Sequence, residues 1–174
     1  ILITGAAGNL GGLLAENLKN KSVELNLMIH KKDLSPSLKG IDNVKIFEAD
    51  LAEKSTLTNA LQGVDTIVHF AGVLFKHNSE KFLHTTNTKY FNNLLASAVE
   101  QGVKRVILVS FPHVEGETTP ENPAKGILTG NPISVHATTR LEEEKSLFEI
   151  CPKHGIEPVV LRLGMVYGKG ILMM

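Results

Sequence analysis

Six short apolar runs punctuate this chain of 174 residues, and stretches with helical spacing separate them. The runs are ILIT (1–4), ELNLMIH (24–30), VKIFEA (44–49), DTIVHFA (65–71), KRVILVS (104–110) and EPVVLRL (157–163). They are nearly continuous rather than alternating, as strands covered on both faces must be. Between them, Leu10, Leu13, Leu14 and Leu18 recur at helical intervals. So do Tyr90, Phe91, Leu94, Leu95 and Ala98, and again Leu141, Phe148 and Cys151. Gly102 stands where a left-handed cap would close the second of these helices. Strand and helix in strict alternation predict an α/β fold, a parallel sheet with helices on both faces. Right-handed crossovers make it doubly wound, with strand order 3-2-1-4-5-6 and one domain over residues 1–174.

Composition excludes several classes. Lys plus Arg and Asp plus Glu both number 18, so the formal charge is zero and favours neither nucleic acid nor an anionic membrane as partner. The single cysteine, Cys151, rules out an intrachain disulfide and a multi-cysteine metal site. A reducing, cytoplasmic setting is the expectation, with Cys151 as inert core on its helix's apolar stripe. No apolar run approaches the ~20 residues of a bilayer span. Seven histidines are scattered without metal-binding spacing (His77 and His84 seven apart, His113 and His136 twenty-three apart), so no metal is expected. LEEEK (141–145) reads as a solvated helix face. The chain lacks an initiator Met and ends on GKGILMM, the pattern expected of a trimmed piece. The segment 111–132, rich in Pro, Gly, Thr and Glu, follows a strand and so lies at the carboxyl edge of the sheet. It is either a ligand-covering loop or simply a mobile one.

In ILITGAAGNLGG, Gly5, Gly8 and Gly11 follow the first strand directly and open a helix. Gly5 permits a tight turn, Gly8 lets backbone approach a pyrophosphate, and Gly11 lets the helix pack closely on the strand. The helix amino end then offers N–H groups and partial positive charge to phosphates, with Ala7, Asn9 and Leu10 completing the loop. No Gly-Lys-Ser/Thr follows, which excludes the Walker alternative. A Rossmann-type nucleotide site is the reading.

At this point TGAAGNLG resembles the fingerprint of the extended short-chain dehydrogenase/reductase superfamily, which holds the nucleotide-sugar epimerases and dehydratases. EADLAEKSTLTNALQGVDTIVHFAG resembles the stretch in which that superfamily closes its adenine pocket, here with Asp50 and Leu51, and then ends a strand on His69, Phe70, Ala71 and Gly72. NTKYFNNLLASAVEQGVKRVILVS resembles the helix and strand that carry a superfamily Asn, here Asn87, and LRLGMVYGKG the exit toward a substrate lobe. The resemblance implies a nicotinamide dinucleotide as cofactor, a second substrate lobe missing from these residues, and a homodimer through outer-layer helices.

An NAD site of this fold carries an acid at the end of the second strand. This chain has His30 there, 25 positions after Gly5, followed by Lys31 and Lys32, with Asp33 as a late competing acid. Three potential cations suit a 2′-phosphate, so NADP(H) is expected over NAD(H). The alternative is an ordinary solvated loop.

NPISVHATTRLEEEK (131–145) departs from the superfamily. A Tyr and a Lys four residues later would handle the substrate proton and the nicotinamide ribose; His136 and Arg140 stand at that spacing, one helix face. Arg keeps the cation and can bond ribose hydroxyls. His136 beside it should lose basicity and act as a neutral donor. The competing reading makes both plain surface groups. Ser110 follows the fifth strand where a substrate-orienting hydroxyl is expected, but FPHVEG comes after it. Two functions follow. One is an NAD(P)-dependent epimerase/dehydratase- or reductase-like oxidoreductase on a nucleotide sugar or small carbonyl. The other is a non-catalytic NADP(H)-binding sensor.

Overall fold

The structure is a computed structural model that describes residues 1–73, 78–168 and 171. Its strands are β1 (Leu2–Thr4), β2 (Leu25–Ile29), β3 (Val44–Glu48), β4 (Thr66–His69), β5 (Arg105–Ser110) and β6 (Glu157–Arg162). All pair in parallel, in the order β3-β2-β1-β4-β5-β6. This is the doubly wound order expected from the alternation of elements. His77 and the end of LRLGMVYGKG lie outside the described residues.

The sheet is covered on both faces, and β1 shows how. Leu2 points into one apolar cluster with Leu57, Leu61, Phe91, Leu94 and Leu147, while its neighbour Ile3 points into another with Ala15, Leu25, Leu27 and Leu38. Consecutive side chains on a strand leave opposite faces, so a continuous apolar run is what two covered faces require. The first face is covered by α2 (Lys54–Leu61), α3 (Tyr90–Glu100) and the end of α4 (Val135–Ile150), and the second by α1 (Asn9–Leu18). Phe91, Leu94 and Leu95 are fully buried on α3, and each contributes about 2 kcal/mol of burial. Gly102 closes α3 at φ +67°, the left-handed cap expected there.

Two features differ from the sequence expectations. Helix α2 rests on Leu57, Ala60 and Leu61 alone, too few apolar positions to announce a helix by periodicity. The apolar stripe of α4 runs through Leu141, Leu147 and Cys151, while Phe148 is 41% exposed. Cys151 is buried, as expected of core, and burial pushes its thiol up to about 11.

Candidate functional site

The carboxyl edge of the sheet is built first by the turn after β1. Gly5 turns at φ +69°, and a side chain there would run into the backbone of Ala71, 2.9 Å from its nitrogen. Gly8 N–H bonds back to the Gly5 carbonyl at 2.8 Å, and Gly12 N–H to the Gly8 carbonyl at 3.0 Å. A Cβ on Gly11 would overlap the Gly5 carbonyl, which is why α1 can start this close to the strand. Gly8 is exposed, the first turn of α1 has no side-chain cap from it, and no acid stands in that turn. Ala7, Asn9 and Leu10 border this mouth, each partly buried. The loop is thus a backbone cradle at a helix amino end, a fit for a diphosphate.

The end of β4 lies alongside. Thr4 and His69 are paired in register. Thr4 Oγ1 accepts from Ala71 N–H at 3.3 Å and lies 2.8 Å from His69 Nδ1. Either tautomer of a neutral His69 can pair with the Thr4 hydroxyl, which has a proton to give and a second lone pair to accept with. Burial and the nearby Arg140 cation keep the ring neutral, lowering His69 to about 3. Beyond it, Phe70 N–H bonds the Thr4 carbonyl at 3.3 Å, and Val73 N–H donates to Asn87 Oδ1 at 3.3 Å. Asn87 is buried in a π-turn over His84–Lys89 and donates to Thr139 of α4 at 3.2 Å. Such turns gather at functional sites; here the turn ties the loop after β4 to α4.

Helix α4 brings His136 and Arg140 to this edge. Ser134 caps it, accepting from Ala137 N–H at 3.2 Å. Arg140 is 5% exposed and lies across Gly72, where any Cβ would collide with its guanidinium. The surface-group alternative for Arg140 is therefore wrong. His136 stacks on Phe111 with ring centroids 5.0 Å apart. Burial first, and Arg140 second, lower its pKa to about 4, so the imidazole is neutral at pH 7. Ser110 is buried, and its hydroxyl meets no recorded protein partner among the described residues.

LEEEK is not a solvated face. Glu143 and Glu144 are fully buried. Glu143 accepts from Arg140 at 2.7 Å; Glu144 accepts from Arg162 of β6, which also pairs with Glu115 just after β5. The error has a physical cause. Charged side chains are exposed by default, and a guanidinium on each carboxylate offsets the desolvation that would otherwise forbid burial. The opposite charges of Arg140 and Glu143, three residues apart, were the available signal. The Glu115 carboxylate also accepts backbone N–H groups from Lys125, Gly126 and Ile127, and Arg162 donates to the Ile127 carbonyl at 2.8 Å. The segment 111–132 is therefore pinned at its base.

Past the end of β2, His30 Nε2 lies 3.6 Å from Asp50 Oδ2, while Asp50 Oδ1 accepts Ala52 N–H at 2.9 Å. Lys31 is exposed, and Leu51 packs its side chain on the core. Among the described residues no three His, Cys, Asp or Glu side chains gather as a metal site, and no helix is long and apolar enough to cross a membrane. A hollow of about 500 Å³ lined by Asn26, Lys45, Phe47, Asn59 and Gln62 contains none of the residues above.

The NAD dependent epimerase/dehydratase family model matches residues 1–172. The chain belongs to that family. Uronate dehydrogenase of Pseudomonas putida is 31% identical over 165 residues, covering 94% of this chain and 60% of that protein. UDP-glucose 4-epimerase of Vibrio cholerae is 28% identical over 177 residues, covering 98% of this chain and 53% of the other. The chain thus spans little more than half the length of these relatives. The solved UDP-glucose 4-epimerase of Thermus thermophilus in complex with NAD superposes with a TM-score of 0.81, at 23% identity over 92% of this chain and 53% of that one. At that identity the likeness concerns the fold. The epimerase/dehydratase family is nicotinamide-dependent, and the glycine cradle and the α1 amino end without a side-chain cap fit such a group.

Proposed function

We propose that this chain forms the cofactor-binding part of an NAD(P)-dependent oxidoreductase, epimerase/dehydratase- or reductase-like, acting on a nucleotide sugar or small carbonyl. The observation that carries the reading is the buried Arg140 guanidinium laid across Gly72, with His136 one turn earlier on the same helix. The names of the relatives, uronate dehydrogenase and UDP-glucose 4-epimerase, favour a sugar.

The backbone N–H groups of Leu10 and Gly11 in the first turn of α1 would hold the diphosphate, with Gly5, Ala7, Gly8 and Asn9 shaping the turn around it. Asp50 and Leu51 would border the adenine, and Phe70, Ala71, Gly72 and Arg140 the nicotinamide ribose. The dinucleotide supplies the acceptor and donor of hydride. His136, neutral above about pH 4, donates an N–H to the substrate oxygen and polarises it, as other neutral histidines do. Arg140 keeps a fixed charge beside the ribose and moves no proton. Ser110 offers its buried hydroxyl to the same oxygen. NADP(H) is preferred over NAD(H): β2 ends without an acid, and Lys31 and Lys32 are exposed beyond His30 to meet a 2′-phosphate.

The test is a turnover screen of sugar and carbonyl substrates with NADPH and NADH, wild type against His136→Ala. The expected result is activity with NADPH that drops about 100-fold in the variant. Activity that survives the substitution unchanged removes His136 from the mechanism. Tight NADPH binding without turnover on any substrate would instead assign the chain to a cofactor-sensing regulator.

A further inference from the structure

Glu143 has no part in the chemistry just described, yet it is fully buried in the same cluster. One carboxylate oxygen accepts from Arg140 Nη1 at 2.7 Å, and the other, Oε1, is buried with no recorded partner among the described residues. A carboxylate out of water favours its neutral form, and an adjacent cation favours the charged one. Here burial outweighs the Arg140 cation and pushes Glu143 up to about 7. Near neutrality the Arg140–Glu143 pair is therefore poised between two forms, one with no net charge and one carrying a single positive charge.

The surrounding charges are settled elsewhere. On α4, Glu142 and Glu144 flank Glu143 and oppose its ionisation. Glu142 is engaged by His84 from the π-turn at 3.1 Å. Glu144 is held by Arg162 of β6, which Glu115 also holds. On β4, His69 is neutral, and so is His136, one turn before Arg140 on α4. Among the described residues, Arg140 and Glu143 remain as the charges next to the Gly72 backbone.

We propose that Glu143 is a charge-compensating, positioning residue: it releases its proton when a dinucleotide with a positively charged nicotinamide ring binds beside Arg140, and keeps it when the ring is reduced and neutral. The proposal rests on the placement of the nicotinamide ribose at Arg140 and Gly72 given above. A second positive charge beside a buried guanidinium is repelled in a medium of low dielectric constant. An ionised Glu143 cancels that repulsion; a protonated Glu143 leaves the cation free to favour the neutral ring. The cofactor's redox state and the protonation of Glu143 are then linked, and linkage is reciprocal.

Calorimetric titration of the protein with NAD⁺ and, separately, NADH at pH 7, in two buffers of different ionisation enthalpy, reads the proton directly. The expected result is release of about 0.3–0.5 proton per NAD⁺ and none per NADH. Between pH 6 and 8.5 the ratio of the NAD⁺ to the NADH dissociation constant should fall by about threefold to tenfold. In Glu143→Gln both effects vanish while both dinucleotides still bind. The wild-type measurement needs no variant and stands even if Glu143→Gln folds poorly. Equal proton exchange for the two dinucleotides, or release that persists in Glu143→Gln, overturns the proposal and leaves the nicotinamide reading intact. Where only NADP⁺ and NADPH bind, the same comparison is read with that pair; failure of all four dinucleotides to bind at millimolar concentration overturns both.

Discussion

At the scale of single residues, the site depends on places where no side chain fits. Gly72 is the sharpest case, because Arg140 fills the volume a Cβ would take. Gly72→Ala should displace the guanidinium, and with it weaken nicotinamide dinucleotide binding about tenfold, read by fluorescence titration of NADPH. Global stability should fall by only about 1–3 kcal/mol, as for other overpacked sites. His136 yields a second prediction. Its neutral imidazole is the donor, and its pKa lies near 4. The rate of the chemical step should then be flat from about pH 6 to 9, where a phenol mechanism would rise with pH. A pH–rate profile with an ionisation between about 6 and 9 that persists in Glu143→Gln contradicts this assignment. The glycines and the His136–Arg140 spacing were readable in the sequence, because backbone approach and i, i+4 geometry have fixed residue requirements. The burial of Arg140 was not. It depends on Glu143, and three adjacent glutamates look like a wet face until a partner for each is known.

At the scale of elements, α4 carries the largest gap between sequence and structure. Its burial of Arg140, Glu143 and Glu144 breaks the apolar stripe that periodicity seeks. The strands beside it were plain from β-rich runs, and the strand order followed from crossover rules alone. Helix α2 escaped notice because Leu57, Ala60 and Leu61 are its only buried positions. The segment 111–132 had two sequence readings, a covering loop or a mobile one. Its base is fixed by Glu115 and Arg162, groups distant in sequence from one another, so no local pattern could decide. Three backbone N–H groups and Arg162 overcome burial and hold Glu115 below the usual carboxylate range. Arg162→Met should leave two carboxylates buried without their cation, costing about 3–5 kcal/mol. Limited proteolysis should then cut within residues 117–130, where the wild type resists. A variant as stable and as resistant as wild type would show that the pin contributes nothing.

At the scale of the whole molecule, pH links the buried groups to folding. His69 and His136 titrate at about 3 and about 4 in the native state, below the ordinary 6.5. As pH falls below about 6.5 the unfolded chain takes up protons that the native chain refuses, so stability is lost on acidification through that window. Glu143 has the opposite sign. Its native pKa is raised to about 7 from 4.5, so the native state binds the extra proton, and that contribution is lost as pH rises from about 4.5 through 7. In wild type the two effects oppose each other between about pH 4.5 and 6.5. Glu143→Gln removes one of them, so its unfolding free energy in urea should climb more steeply with pH over that range. A parallel pair of curves would mean that Glu143 is not protonated in the native state.

The doubly wound sheet places every one of these groups at one edge, and the cofactor cradle at the amino end of α1 is what makes that edge a site. Titration of the wild type and of Gly8→Val with NADPH and NADH measures this most directly, since Gly8 is exposed at the mouth and a side chain there, its Cβ 3.0 Å from the Gly5 carbonyl, would crowd the turn that is to receive the diphosphate. Saturable binding of the wild type below about millimolar concentration, weakened at least tenfold in Gly8→Val without loss of fold, is the predicted result. Equal binding by both proteins, or none by the wild type, contradicts it.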